Sequence, residues 1–116
     1  MIPSLMKETF GEYIRRLRKS NGYTLTQLAA KLNIDSANLS KIETGKRVFD
    51  EKRIESLATV FGLDLKKLKD EYYSELFAKK LYYNQCSNQV FKLAEEKVKY
   101  MKLKSVKQTK LKFSKK

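Results

Sequence analysis

Two short amphipathic runs joined by three residues constrain this chain more than any other feature of its sequence. The first, LTQLAAKL at 25–32, puts Leu25, Leu28, Ala29 and Leu32 on one face of a helix. The second, SANLSKIET at 36–44, carries Leu39 and Ile42 at helical spacing and stops at Gly45. Thr24 precedes the first run and Gln27 stands three residues on. That is the capping-box spacing, in which each side chain satisfies a backbone N–H at the helix start. The connection is Asn33-Ile34-Asp35. Asparagine accepts a left-handed backbone, and aspartate is a good N-cap for the helix that follows. Two helices joined this tightly pass close to each other, and the crossing needs a small side chain, which Ala29 supplies.

The flanking sequence is also helical. Thr9 and Glu12 repeat the capping-box pattern ahead of a helix expected over about 10–21, with Phe10, Ile14 and Leu17 inward and Gly22 at its end. After a loop at 46–49, Asp50 caps a fourth helix, EKRIESLATVF, closed by Gly62. Asp64 caps a fifth, LKKLKDEYYSELFAKKLYY, and a sixth is expected over about 88–103 after a polar break at 84–87. No strand pattern competes with the helical one. The expected fold is therefore all-α.

Charge is unevenly distributed. Of a net +13, residues 1–63 carry +4, residues 64–96 none and residues 97–116 +9, the last from nine lysines and no acid. A block of that kind reads as a basic disordered tail, either simply solvated or drawn along phosphates. Histidine is absent and Cys86 is the single cysteine, so neither a zinc site nor an intrachain disulfide is expected. No Gly-rich phosphate loop or paired carboxylates suggest an enzyme, and no cofactor is implied. The opening MIPSLMKETF lacks the pattern of a secretory leader, and no run approaches the ~18 apolar residues of a membrane span, so a cytoplasmic, nucleoid-associated protein is expected.

Two helices separated by a three-residue turn make a helix-turn-helix. The second helix then shows Leu39 and Ile42 to the core and Ser36, Ala37, Ser40 and Lys41 outward, with Ser36 and Ala37 at the N-terminal end that meets base edges in this motif. Across residues 10–62 the sequence resembles the phage-repressor/Cro-type (XRE) helix-turn-helix family. The strings that carry the resemblance are F-G-x-Y-I-R-R-L-R, L-x-Q-L-A-x-K-L, L-S-K-I-E-x-G-K-R and I-x-x-L-A-x-x-F-G-L, in that order. The chain departs from the family at Asn33, where glycine is usual, and at Phe49-Asp50, where many members have Pro-Ser.

The resemblance implies a five-helix repressor-like domain, here extended by a long C-terminal helix or helical hairpin. It further implies a transcriptional regulator specific for double-stranded DNA, a dimeric repressor or autoregulator reading a palindromic operator. Ser36, Ala37, Ser40 and Lys41 resemble the base-facing positions, and Gln27, Asn38, Lys46 and Arg47 those that contact phosphates or support the recognition helix. Gln27 is equally readable as a capping-box residue and no more. Lys46 and Arg47 lie near the start of the fourth helix, whose free N–H groups favour an anion. Arg18 and Glu43 correspond to a structural ion pair found in some members. Lys41 can donate to guanine, Ser36 reads bases weakly and Ala37 suits a thymine methyl, so a soft code is expected.

Domain boundaries are expected at 1–68 for the helix-turn-helix domain, 69–103 for a dimerising extension and 104–116 for the tail. Tyr72, Tyr73, Leu76, Phe77, Tyr82 and Tyr83 crowd the extension. Aromatic rings with wet hydroxyls favour interfaces, which points to a homodimer there. The alternative is an antitoxin-like or other protein-interaction module with a DNA-binding head, or a controller of restriction–modification genes.

Overall fold

The computed structural model describes residues 8–114, with side chains described for 8–105. Residues 1–7 of the opening MIPSLMKETF, read above as lacking a leader pattern, and the last two residues of the tail lie outside the described residues. Six α-helices follow in order: α1 Phe10–Ser20, α2 Leu25–Leu32, α3 Ser36–Glu43, α4 Ile54–Phe61, α5 Leu65–Tyr83 and α6 Gln89–Ser114. A 3₁₀ turn, Glu51–Arg53, leads into α4. No strand occurs among the described residues, so the chain is all-α as expected. None of their helices is long and apolar enough to cross a membrane.

The helix starts are built as the local sequence dictates. Thr9 Oγ1 accepts from the Glu12 N–H at 3.0 Å and Glu12 Oε1 from the Thr9 N–H at 2.9 Å. Thr24 and Gln27 repeat the exchange at 3.1 and 2.9 Å. Asp35 Oδ1 accepts from the Asn38 N–H at 2.7 Å, and Asp64 accepts from Lys66 at 2.9 Å. Asn33 closes α2 in the left-handed region, at φ 58° and ψ 45°. There the Ile34 N–H reaches back to the Ala29 carbonyl at 3.0 Å. The departure from the family's glycine is thus absorbed at a modest steric cost.

The chain forms two compact units, residues 1–78 and 79–116. In the first, Phe10, Ile14, Leu28, Ala29, Leu32, Leu39, Ile42, Ile54, Leu57, Ala58 and Leu68 make one core. Phe49 and Tyr72 join it. Phe49 sits in what the sequence marks only as a loop. Its ring lies 5.8 Å from Phe10, and Phe10 meets Tyr72 edge-on at 5.2 Å. The Tyr72 hydroxyl donates to the Phe49 carbonyl, so the buried phenol is satisfied. Tyr72 is therefore a core residue and is corrected out of the dimerisation set. A helical stripe containing Leu65, Leu68 and Tyr72 must bury its own members before it can offer them to a partner.

α1 and α3 approach closely at Gly11. A Cβ built there would stand 2.1 Å from the Ile42 carbonyl oxygen, so only glycine fits. Beside this contact lies the Arg18–Glu43 pair. Arg18 Nε and one terminal nitrogen donate to the two Glu43 oxygens at 2.8 and 3.0 Å. The other terminal nitrogen donates to the Tyr23 carbonyl at 3.0 Å. Both residues are buried, and the bidentate geometry is the strong form of this interaction. The Glu43 hydrogen bonds raise the Arg18 pKa above its ordinary value, keeping the guanidinium charged. The partnership that the resemblance implies is present.

The second unit holds the end of α5, a turn and α6. Gln85 takes a left-handed backbone at φ 54°. α6 runs to Ser114, past the expected end near 103 and through residues assigned to a disordered tail. Residues 97–114 contain neither proline nor glycine, and lysine and leucine are good helix formers.

Candidate nucleic-acid interface

α2, its turn and α3 hold one face of α3 against the core and leave the other outward. Leu39 and Ile42 are buried, fixing the helix about its own axis. Ala37 and Lys41 are exposed, and Ser36 and Ser40 are half-buried beside them. Among the described residues, none of these four side chains enters a hydrogen bond that holds the fold. The four expected base-facing positions therefore lie together on one solvent-facing strip. Asp35, read in the sequence only as a cap, adds a carboxylate at the same end.

The residues expected to contact phosphates divide. Asn38 and Arg47 are brought together: Arg47 donates to Asn38 Oδ1 at 3.0 Å. Lys46 and Arg47 are both exposed, and the loop carrying them folds back on α3. Their backbone N–H groups share the Lys41 carbonyl at 2.8 and 3.2 Å, made possible by Gly45 at φ 83°. Of the two roles the sequence left open for Gln27, the capping-box one is present: its Oε1 accepts from the Thr24 N–H, and its exposed amide NH₂ is left outward.

One expectation is corrected. The start of the fourth helix is a 3₁₀ turn, and Asp50 Oδ1 already accepts from the Lys52 N–H at 3.1 Å. Glu51 adds a second carboxylate, so this is not a helix terminus waiting for phosphate. The exposed cations of the loop are the Lys46 and Arg47 side chains. Arg53, unremarked in the sequence, is half-buried and donates to the Leu32 carbonyl at 3.1 Å, tying the 3₁₀ turn to the end of α2.

The other candidates for dimerisation are spread over both units. Leu76 is half-buried against the core of the first. Tyr73 is 46% and Phe77 37% exposed, and Tyr73 donates a long bond to Glu51 at 3.4 Å. Tyr82 and Tyr83, in the second unit, are 76% and 74% exposed and meet edge-on at 5.2 Å.

A family model described as a helix-turn-helix domain matches residues 9–70. The chain belongs to the helix-turn-helix family. This agrees with the phage-repressor/Cro-type resemblance and spans α1 through the first turns of α5. An uncharacterized HTH-type transcriptional regulator of Bacillus subtilis (strain 168), RghRB, is 50% identical over 38 residues, which is 33% of this chain and 27% of that protein. The HTH-type transcriptional repressor RghR of the same organism is 45% identical over 40 residues, 34% of this chain and 30% of that one. The likeness thus spans under a third of each relative. Among solved structures, the N-terminal DNA-binding domain of SinR from Bacillus subtilis is 30% identical with a TM-score of 0.46, covering 53% of this chain and 91% of that one.

Proposed function

We propose that this helix-turn-helix chain is a transcriptional regulator that binds double-stranded DNA sequence-specifically, with α3 in the major groove. The observation that carries the reading is the division of α3: Leu39 and Ile42 are buried while Ser36, Ala37, Ser40 and Lys41 face outward with no structural duty. Such an exposed strip at the end of a rigidly held helix is what base readout requires. Lys41 donates to guanine O6 or N7, Ala37 meets a thymine methyl and Ser36 and Ser40 supply weaker polar contacts. Gln27, Lys46 and Arg47 neutralise or bond phosphates, and Asn38 holds Arg47 in place.

Few bidentate base contacts are available on one helix, so selectivity calls for two. The reading is a homodimer joined through the extension by Tyr73, Phe77, Tyr82 and Tyr83, reading a palindrome with half-sites about one DNA turn apart. Such a regulator works in the cytoplasm, on the nucleoid, as a repressor or autoregulator.

Fluorescence anisotropy tests it, using DNA from upstream of the chain's own gene against scrambled duplex across a salt series. Tight binding to the upstream DNA at physiological salt supports the reading. Equal binding to both, collapsing with salt, overturns specificity and leaves only the lysine-rich end and the loop cations at work. Light scattering on the same samples tests the dimer, which a 13.6 kDa particle at micromolar concentration would rule out.

A further inference from the structure

Asp35 stands at the end of α3 where the outward strip begins, and the fold uses only half of its carboxylate. Oδ1 accepts from the Asn38 N–H at 2.7 Å and caps the helix. Among the described residues Oδ2 enters no hydrogen bond or ion pair, and the side chain is exposed beside Ser36 and Ala37. Capping does not call for the charge. Serine and asparagine cap about as well as aspartate, and threonine does so for α1 and α2. The other acid of residues 35–44 is Glu43, and both of its oxygens are taken by Arg18. Asp35 is thus the one acid of this stretch left with an oxygen to offer.

A free carboxylate oxygen has a narrow choice of partner in the major groove. It accepts and cannot donate. Guanine shows it N7 and O6 and thymine shows it O4, all acceptors of like partial charge. Adenine has a donor at N6, with the N7 acceptor alongside. Cytosine shows the N4 amino donor and no acceptor on its own edge. Lys41 is the reverse case, with three donors and no acceptor. It lies six residues further along, about 9 Å of helix. The strip therefore runs from an acceptor at one end to a donor at the other, so its two ends select opposite base edges.

We infer, resting on the reading of α3 as the major-groove helix, that Asp35 is a specificity-determining residue of the DNA interface. Its Oδ2 accepts from the N4 amino group of a cytosine and rejects guanine and thymine at that position. A serine hydroxyl either donates or accepts and so tolerates several bases. A carboxylate set against an acceptor does not, and it works by exclusion as much as by attraction.

The test uses the full chain and duplex DNA randomised over about two helical turns, from which repeated capture enriches the preferred site. Fluorescence anisotropy then measures that duplex and its single-pair changes with the parent, Asp35→Ser and Asp35→Asn. Both replacements keep a capping oxygen, so helicity and the urea midpoint should stay close to the parent's. If Asp35→Ser loses helicity, Asp35→Asn carries the comparison. The parent should prefer cytosine at one position by at least about fivefold over guanine and thymine. Asp35→Ser should flatten that preference to within about twofold, partly by binding the guanine and thymine duplexes more tightly. Asp35→Asn leaves its oxygen in the cap and puts an NH₂ donor where Oδ2 stood, so the preference should reverse toward guanine or thymine. Preferences at the other positions should hold. Loss of affinity by the same factor on every duplex would make Asp35 a cap and nothing more, overturning the assignment. A cytosine preference that survives Asp35→Ser, or a parent site without one, overturns it as well while leaving α3 as the reading helix. A parent that enriches no sequence overturns the reading of α3 itself, and the assignment falls with it.

Discussion

Replacing Gly11 by alanine adds a single methyl group where α1 touches the end of α3. The new carbon would stand 2.1 Å from the Ile42 oxygen and 3.2 Å from that of Glu43. An ordinary carbon–oxygen contact is about 3.3 Å or more, so the helices must separate by roughly 1 Å. The obstructing atom is a helical carbonyl and cannot rotate away as a side chain could. Overpacking of this kind costs up to ~3 kcal/mol, offset by about 1 kcal/mol from alanine's better helix propensity. The net loss is ~2 kcal/mol from the clash alone. It rises toward ~5 kcal/mol if the separation also breaks the Arg18–Glu43 pair seated beside it. In a domain of this size ~2 kcal/mol lowers Tm by about 8–16 °C. Urea denaturation of the full-length protein, with the midpoint compared at constant m-value, measures it. Because α3 is the helix displaced, any DNA affinity that rests on its outward strip should fall as well, even though Gly11 lies at the α1–α3 contact and not on that strip. A Gly11→Ala protein as stable as the parent, or more so, would show that α1 and α3 are not packed this closely and would undo the account of how α3 is seated.

Three further outcomes are expected. Arg18→Met should cost ~3–5 kcal/mol by stranding Glu43, whereas Arg18→Met/Glu43→Leu should recover most of that loss. A double-mutant cycle with a coupling under ~1 kcal/mol contradicts it. Burial pushes the Tyr72 hydroxyl above its ordinary value of 10.0, with the Glu51 charge adding to the effect. The fold thus favours the protonated donor, so this contribution is intact below about pH 10 and is lost as pH rises beyond it. Tyr72→Phe should cost ~1 kcal/mol at neutral pH and flatten the alkaline decline, and urea midpoints at pH 8 and pH 11 that move in parallel for both proteins would contradict this. Asn33→Val should cost ~1–2 kcal/mol at φ 58°, while Asn33→Gly stays within about 1 kcal/mol of the parent, as thermal melts of the three proteins would reveal.

What the sequence made legible was local. Thr9 with Glu12, Thr24 with Gln27, and Asp35 announce helix starts because partner and cap lie three residues apart. Asn33 announces the turn because few residues accept its backbone. The outward strip on α3 followed from the same periodicity that buried Leu39 and Ile42. What escaped depends on residues distant in sequence. Glu75 accepts from the Phe10 N–H at 2.7 Å across 65 positions, and no local pattern foretells it. Gly11 reads as one more glycine in a helix until the Ile42 carbonyl stands opposite it. Phe49 reads as loop because its neighbours have no period, yet its ring packs against Phe10 and its carbonyl accepts from the Tyr72 hydroxyl. The assignment of Tyr72 to an interface failed for a related reason, since clustering says that rings want burial and not which surface supplies it. Arg18 and Glu43 were visible only through the family resemblance, because a pair 25 residues apart has no spacing rule.

The division of α3 also bears on how such a chain can change over generations. Its inward residues answer to the core, and none of its outward side chains makes a hydrogen bond that holds the described residues together. A gene copy could exchange Ala37 or Lys41, the two exposed positions, for other polar side chains and still encode a folded protein, because no buried contact would be lost. A new address would be reached one substitution at a time through stable intermediates. Meanwhile Gly11, Arg18 and Glu43 would hold every descendant of the helix in the same seat.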